Sequence, residues 1–251
     1  MKKISLVLTC AVLIAALFAG CSPSENNAPD ESPVSILPTP YGPDREPDLS
    51  DIELVQFDPI APGERTATIN TTEGIIQIRL FPDRAPAAVE NFEALAREGF
   101  FNGKTFHRIA RGVMIQTGAL YHSGEGGVSI FRDENGNPKP LDTEWHPDLW
   151  HFRGAVSLVS HGEGGRHLSQ FMIVQNAELS QEILDGMADA GFPPRAIERY
   201  ASVGGAPHLD GNQTIFGHVI LGMDVVDAIA EVQVVEQRPV EDVLILSVTI
   251  S

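Results

Sequence analysis

The sequence has almost no cysteine and few basic residues, and both shortages limit what the protein can be. Among 251 residues there are two cysteines, and 17 Lys and Arg stand against 34 Asp and Glu, which gives a formal net charge of −17. Phosphate binding needs clustered Lys and Arg, so this charge disfavours nucleic acid and anionic lipid surfaces as partners. Acidity of this size favours solubility and does not by itself indicate a fold.

The N-terminal residues have the order of charged, apolar and small residues that is typical of a secretory signal. Two lysines precede an apolar run over 4–18, and Ala19-Gly20 leads directly to Cys21. A cysteine at this place resembles a bacterial lipobox, in which that cysteine receives lipid and becomes the first residue of the mature chain. The sequence therefore predicts a signal peptide over 1–20, lipidation of Cys21, and a domain anchored at the outer face of the cell membrane.

One position of this motif departs from the usual pattern. Phe18 stands three places before Cys21, where a lipobox usually carries leucine, and Leu17 lies one place too early. Plain secretion stays open, as does an uncleaved anchor, because the apolar run is near the shortest length that spans a bilayer. Cleavage would remove Cys10 and leave a single cysteine, so no disulfide can form within the domain and a thiolate zinc site is excluded.

The segment 21–62 has the composition of an extended linker. It holds nine of the 18 prolines, together with many Asp, Glu, Ser and Asn residues. Such a segment cannot bury enough apolar surface to fold alone, and its prolines stiffen it. We expect a spacer after Cys21, within which 54–57 is the stretch able to form a short strand or to pack on the domain.

Short strands dominate the pattern from residue 63 onward. The segments 66–70 and 75–80 alternate apolar and polar residues around a turn, which predicts a β-hairpin. Further strands are predicted over 105–109, 113–117, 154–160, 170–175, 215–219 and 243–250.

Helices are fewer than strands in the same region. Pro86 begins a stripe of apolar residues at helical spacing that Gly99 ends, and 223–231 predicts a second short helix. The stretch 180–206 breaks the strand rhythm and is interpreted as a helical insertion. Many short strands with few helices favour a mainly β domain over 63–251, a closed antiparallel barrel capped by helices.

Several motifs of this domain resemble those of the cyclophilins, in the same order along the chain. They read GIIQIRLFPDRAP from Gly74, FFNGKTFHR from Phe100, MIQTG from Met114, GAVSL from Gly154, SQFMI from Ser169 and LDG from Leu209. The resemblance implies a closed eight-stranded antiparallel barrel capped by two helices, with peptidyl-prolyl cis/trans isomerase activity and no metal or cofactor. The insertion resembles that of lipid-anchored cyclophilins from Gram-positive bacteria.

The resemblance also implies a catalytic pair and a proline pocket. Amide resonance opposes rotation about an X-Pro bond with a barrier of ~18–20 kcal/mol. A donor aimed at the prolyl nitrogen stabilises the twisted transition state more than the ground state. By resemblance Arg108 is that donor, and Gln116 orients it and contacts substrate. The implied substrate-binding residues are Phe106, Val113, Met114, Val159, Ser160, Gln170, Met172, Leu209 and Gln213.

The implied pocket departs from the family at five positions. Val113 and Met172 stand where phenylalanines are usual, Gln213 where His or Tyr is common, Ser160 where Asn is common, and His208 where eukaryotic members carry Trp. Loss of two rings removes rigid apolar surface, and methionine is a flexible replacement. We expect weaker proline binding and reduced catalysis, or a changed preference before proline, and weak cyclosporin binding. The alternative is a catalytically weak or inactive module that holds exported chains or a partner lipoprotein through the same groove.

Two glycine-rich loops, 124–127 and 162–165, have neither the strand and helix nor the Lys or Ser/Thr of a phosphate-binding loop. We interpret them as loops at the rim of the groove, where Glu125 and Glu163 would favour basic residues in a client chain. The expected partners are proline-containing exported polypeptides and, through the lipid on Cys21, the membrane. We expect no nucleic-acid partner and a monomer.

Overall fold

The structure is a computed structural model that describes residues 37, 39–41, 48–49, 51–161 and 166–251. The predicted signal peptide, the lipidation site Cys21, and the loop 162–165 with Glu163 lie outside the described residues. Within the described part of the chain, no helix combines the length and apolar character needed to cross a membrane.

Strands and helices appear close to the predicted bounds. The strands are β1 (Thr66–Thr71), β2 (Gly74–Leu80), β3 (Arg108–Ala110), β4 (Met114–Thr117), β5 (Ala155–His161), β6 (Arg166–Val174), β7 (Ile215–Leu221), β8 (Val234–Val235), β9 (Arg238–Pro239) and β10 (Ile245–Ile250). The helices are α1 (Pro86–Arg97), α2 (Gln181–Asp189), α3 (Pro194–Val203) and α4 (Met223–Glu231), with 3₁₀ turns at Val55–Phe57 and Pro207–Leu209. The predicted insertion therefore contains two helices, α2 and α3, between β6 and β7.

Eight strands form one antiparallel sheet in the order β10-β1-β2-β7-β5-β6-β4-β3, and this sheet is an open, curled half-barrel. The prediction of a closed barrel is wrong. The terminal strand β3 has only three residues and does not pair with β10. The residues just before β3 contact the residues at the start of β10 instead. Residues 103–106 exchange backbone hydrogen bonds with 243–245, and Thr105 and Leu244 form an isolated bridge.

The main core lies between one face of this sheet and the helices α1 and α4. Phe92 of α1 contacts Phe101, Phe171 and Phe216 with ring centroids 5.2 to 5.6 Å apart. Each of these side chains is almost completely buried, and burial of such a side chain contributes about 1.5–3 kcal/mol. The alternation along the strands places their other face away from this core, where it is available for a site.

Helix α1 begins at a proline and is held at its N-terminus by a distant carboxylate. Pro86 lies in the first turn, where an absent N–H leaves no hydrogen bond unmade. The N–H groups of Ala87 and Ala88 donate to the two oxygens of Glu144 at 3.0 and 2.8 Å. This bond ties the long connection between β4 and β5 to the helix.

Part of the segment assigned from the sequence to the linker packs on the domain. Ile52 and Gln56 are buried. The amide of Gln56 donates to the carbonyl of Trp150 at 2.9 Å and accepts from its N–H at 2.8 Å. The contacts of the domain therefore begin before residue 63, because a few apolar and amide side chains find partners although the surrounding composition is rich in proline.

A buried arginine holds the same segment from the sheet. Arg79 of β2 binds both carboxylate oxygens of Glu64, at 2.5 and 2.7 Å, and donates to the carbonyl of Val55 at 2.8 Å. His218 is buried nearby, and burial together with the charge of Arg79 lowers its pKa to about 3. This imidazole is therefore neutral in the folded protein at ordinary pH.

The insertion forms a second core on the side of these N-terminal contacts. Trp150, Phe152 and Tyr200 are buried together with side chains of α2 and α3. The rings of Phe152 and Tyr200 lie with centroids 4.5 Å apart. Helices α2 and α3 thus pack on the rest of the domain through an apolar cluster that they share with residues such as Ile52 and Trp150.

Candidate active site

A row of side chains crosses the sheet on the face away from the main core. Arg108 in β3 pairs with Gln116 in β4, Gln116 pairs with Met172 in β6, and Met172 pairs with Ser157 in β5. Directly paired residues in neighbouring strands point to the same face, so these four side chains lie side by side. Their neighbours along the strands, such as Ile115, enter the main core.

Hydrogen bonds between amides connect the polar end of this row. Arg108 Nη1 donates to Gln116 Oε1 at 3.4 Å, and Gln116 Nε2 donates to Gln170 Oε1 at 2.8 Å. Gln170 Nε2 in turn donates to the carbonyls of Gly124 and Gly126 at 3.1 and 2.7 Å. Both amide groups are buried, and in each of them the oxygen accepts and the nitrogen donates a hydrogen bond. These bonds hold the oxygen of Gln116 toward the guanidinium.

The guanidinium of Arg108 is exposed at the end of this relay. Its Nε donates to Gln237 Oε1 at 2.9 Å, and its Nη2 has no hydrogen-bond partner among the described residues. A permanently charged group is thus held by two side-chain oxygens, and its Nη2 remains available to donate to a bound ligand.

A groove of about 860 Å³ lies next to Arg108. Three predicted site residues line it beside the arginine, namely Gln116, Val159 and Gln170. The other lining residues belong to two loops and to the β8–β9 hairpin: His107, Ser123, Gly124, Glu125, Val235, Glu236, Arg238, Pro239 and Val240. Among the described residues that line the groove, none is Phe, Tyr or Trp, and none belongs to the insertion 180–206.

The hairpin side of this groove was missed in the sequence. It is formed by two very short strands, β8 and β9, and a two-residue turn without glycine, so neither strand length nor turn chemistry indicated a hairpin. The available signal was the pair of apolar positions Val235 and Val240, which are 63 and 54 % exposed in the structure. Exposed valines of this kind contribute apolar surface to a bound chain.

Phe106, which the sequence predicted as a substrate-binding residue, does not line the groove. Its side chain is fully buried in the main core, and its N–H donates to the carbonyl of Val243 at 3.0 Å. Residues 106–107 precede β3 and do not have strand geometry, so the alternation that turns Arg108 outward does not extend back to Phe106.

The imidazole of His107 lines the groove where Phe106 does not. It packs against Gly124, whose φ is +94°. A Cβ at that glycine would lie 2.6 Å from the ring carbon Cδ2, so the position needs glycine both for its conformation and for space.

The other predicted pocket residues lie outside the lining of the groove. Met114 and Met172 are buried. Val113 and Ser160 are half-buried.

The two predicted pocket residues nearest the insertion also lie apart from the groove. Leu209 packs against a small apolar cluster that includes Val55 and Ile215. Gln213 lines a separate small cavity with Asp210, and its buried Oε1 has no hydrogen-bond partner among the described residues. The structure therefore places four predicted residues, Arg108, Gln116, Val159 and Gln170, in the lining of the groove and the others outside that lining.

A second polar network lies at the Ser157 end of the row. Ser157 Oγ is 3.0 Å from His151 Nε2, and His151 Nδ1 is 2.7 Å from Asp210 Oδ1. The hydroxyl of Tyr200 donates to Asp210 Oδ2 at 2.6 Å. Burial, followed by the Asp210 carboxylate, raises the pKa of Tyr200 well above its ordinary value. The order resembles a hydrolytic triad, but all members are buried, so no substrate reaches the serine.

No metal centre accompanies these networks in the described part of the chain. No group of three or more His, Cys, Asp or Glu side chains there is placed to hold a metal ion.

The sheet is a half-barrel with α1 and α4 on its core side, and an exposed arginine is held by glutamine amides beside a groove. Together these features define the cyclophilin class of domain. A family model of this class, cyclophilin type peptidyl-prolyl cis-trans isomerase/CLD, matches residues 66–250. The chain belongs to this family and is a cyclophilin-type peptidyl-prolyl cis-trans isomerase.

Relatives and solved structures agree with this membership. A Staphylococcus saprophyticus protein, provisionally named a peptidyl-prolyl cis-trans isomerase, is 37 % identical over 183 residues, covering 72 % of this chain and 89 % of the relative. A Staphylococcus aureus USA300 protein with the same provisional name is 35 % identical over 189 residues, covering 75 and 92 %. A Cryptosporidium parvum cyclophilin-type isomerase structure has a TM-score of 0.59 at 24 % identity, covering 75 and 98 %, and shows the shared fold.

Proposed function

We propose that the protein isomerises X-Pro bonds in exported polypeptides outside the cytoplasmic membrane, and that Arg108 is its catalytic residue. One observation carries the catalytic part. The guanidinium of Arg108 is exposed beside a groove, while Gln116 and Gln170 form a buried hydrogen-bonded relay behind it. Each amide nitrogen and oxygen of this relay makes a hydrogen bond, and the relay ends in an exposed charge. This arrangement supports a site that is preorganised for a ligand.

The reaction needs a donor at the prolyl nitrogen and a surface that holds the residues around it. As the bond twists, the nitrogen lone pair localises and becomes an acceptor, which a guanidinium N–H of Arg108 stabilises. Each ~1.4 kcal/mol by which this bond is stronger in the transition state raises the rate about tenfold. No covalent bond is formed or broken, so the chemistry requires no nucleophile.

The sides of the groove suggest which residues flank the proline. Val159, Val235 and Val240 offer apolar contact, and Glu125 and Glu236 place two carboxylates at the rim. These charges support the hypothesis that clients with basic residues near the proline are preferred. Glu163, the other acidic residue in that hypothesis, lies outside the described residues.

Replacement of the arginine tests the catalytic proposal. We expect Arg108→Ala in the full-length protein, purified in detergent, to lower kcat/KM for a proline tetrapeptide by about 10²–10³-fold, the loss typical of one preorganised donor. The rate is measured by NMR exchange between the cis and trans peptide. Arg111→Ala is the matched control, because Arg111 is exposed on the turn after β3 and does not line the groove. If Arg108→Ala were as active as this control, the result would contradict the proposed mechanism.

The proposed location depends on the N-terminal sequence. The basic, apolar and small residues before Cys21 support export and lipidation. Mass spectrometry of the N-terminal peptide from the membrane fraction should find a lipid on Cys21, and externally added protease should digest the protein in intact cells. Recovery of an unmodified chain protected from that protease would contradict the proposal.

A second function is favoured by the absence of Phe, Tyr and Trp from the described lining of the groove. A groove without these rings holds proline weakly, and the same surface then suits a module that binds exported chains without catalysis. An assay that follows the refolding and aggregation of an unfolded proline-rich protein distinguishes the two functions. If the protein acts by catalysis, the Arg108→Ala variant no longer accelerates refolding. If the protein acts by binding, the variant still suppresses aggregation.

A further inference from the structure

Two side-chain oxygens hold the guanidinium of Arg108, and the nearer one belongs to the β8–β9 hairpin. Gln237 Oε1 lies 2.9 Å from Nε, whereas Gln116 Oε1 lies 3.4 Å from Nη1. Acceptors at two different nitrogens fix the rotation of the planar group about its last bond, which one acceptor cannot do. The hairpin therefore supplies the shorter of the two contacts that aim Arg108 into the groove.

The turn that carries Gln237 has an unfavourable backbone for its residues. The strands pair Val235 with Arg238, which leaves Glu236 and Gln237 as the two central residues, with φ of 50° and 67°. Positive φ at both centres is typical of a type I′ turn, which strongly prefers Asn-Gly. A residue other than glycine in this region costs on the order of 1–3 kcal/mol. The chain thus keeps two long side chains where glycine would be more stable.

Docking of the hairpin does not require the side chain of Gln237. Its carbonyl accepts from the N–H of Ile109 at 2.6 Å, a bond that any residue at the position would make. Arg238 donates to the carbonyls of His122 and Ser123 at 2.6 and 3.1 Å. Since the backbone and Arg238 hold the hairpin in place, the side-chain oxygen of Gln237 has one described partner, Arg108, and the strain at this position is accounted for by that contact.

We propose that Gln237 is a positioning residue that orients Arg108 for the isomerase reaction. The proposal rests on the proposed catalytic role of Arg108. Gln237 acts through the arginine, so its removal lets the guanidinium rotate away from the prolyl nitrogen. Binding of the peptide along the rest of the groove stays the same, and the loss therefore falls on kcat more than on KM.

Two substitutions separate this role from a structural one. Gln237→Gly removes the acceptor and relieves the positive φ, so it should raise the melting temperature while lowering kcat about 3- to 10-fold with little change in KM. Gln237→Met keeps the length of the side chain without the acceptor, so it should lower kcat to the same extent without the gain in stability. A residue that serves only the turn would give increased stability with unchanged kcat.

A double-mutant cycle in the full-length protein decides whether the effect passes through the arginine. When Arg108 is alanine, Gln237→Gly should change kcat by less than twofold. The proposal is overturned if both Gln237 variants keep the wild-type kcat, or if Gln237→Gly costs as much without the arginine as with it. If Arg108→Ala itself leaves kcat unchanged, the proposed function fails first, so the two failures are distinguishable.

Discussion

The structure has two polar networks, one at each end of the same row of side chains, and they differ in exposure more than in hydrogen bonding. At one end the Gln170–Gln116 relay reaches an exposed Arg108 beside a groove. At the other end the network of Ser157, His151, Asp210 and Tyr200 is completely enclosed. The buried network has the residue types of a hydrolase, and only its lack of access excludes that chemistry. Access therefore has to be established before a familiar set of residues is assigned a reaction.

A substitution in the buried network should reduce stability, whereas a substitution at the exposed arginine should reduce activity. The largest loss of stability is expected at Asp210. Asp210→Ala leaves His151 and Tyr200 without their shared acceptor in the interior, which should lower the free energy of unfolding by about 3–5 kcal/mol. Arg108→Ala should lower it by no more than about 0.5 kcal/mol while removing activity. Urea denaturation measures both. A similar stability loss in the two variants would erase the distinction between the networks.

A buried histidine outside both networks should give stability a pH dependence. The folded pKa of His218 is about 3, against an ordinary value of 6.5, because burial and Arg79 disfavour its charged form. Below pH ~6.5 the unfolded chain binds a proton that the folded chain does not, so stability falls with decreasing pH, by up to about 1.4 kcal/mol per pH unit. The measurement is urea denaturation between about pH 7 and 5, with His218→Gln as control. Parallel losses in the two proteins would contradict it.

Gln170 combines the two properties, because its side chain is buried and it also belongs to the relay that ends at the exposed Arg108. Gln170→Ala leaves Gln116 Nε2 and the carbonyl of Gly124 unpaired, which should cost about 1–3 kcal/mol of stability. It should also lower kcat, since Gln116 is no longer oriented. Both quantities are needed, from urea denaturation and from the peptide assay. Lost stability with an unchanged kcat would show that the relay does not serve Arg108.

The smallest effect is expected at the rim of the groove. Glu125→Gln should reduce the preference for peptides with a basic residue near proline about two- to threefold, since exposed charges contribute less than about 1 kcal/mol. The preference is read from kcat/KM for paired peptides that differ in that residue. Glu134→Gln is the matched control, because Glu134 is exposed in a loop and does not line the groove. Equal preferences in both variants would remove Glu125 from the specificity of the site.

Local patterns predicted the strands and helices well, because alternation and helical spacing are properties of consecutive residues. The bounds of α4 match the predicted 223–231, and β1 and β2 form the predicted hairpin. Closure of the barrel depends on how two distant ends meet, which alternation does not encode. The sequence indicated that 54–57 could pack on the domain, whereas the burial of Ile52, which stands between Asp51 and Glu53, gave no local pattern.

The candidate site was predictable to the extent that it lies on regular strands. Arg108, Gln116 and Gln170 come together because strand register places them on one face. Phe106 precedes the first residue of β3, and its side chain lies in the main core. Gln237 was missed because its importance lies in a turn whose backbone the sequence gives no reason to expect.

The docking of the β8–β9 hairpin has a consequence for the order in which the enzyme becomes competent. Arg108 and Gln237 are separated by 129 residues, and contacts of such long sequence separation form late, after a large loss of chain entropy. The ribosome has to synthesise the chain as far as β9 before the hairpin can form. A nascent or C-terminally truncated protein therefore carries Arg108 on an exposed edge without the second side of its groove. The Nε of Arg108 therefore lacks its acceptor until Gln237 has been synthesised and the hairpin has docked.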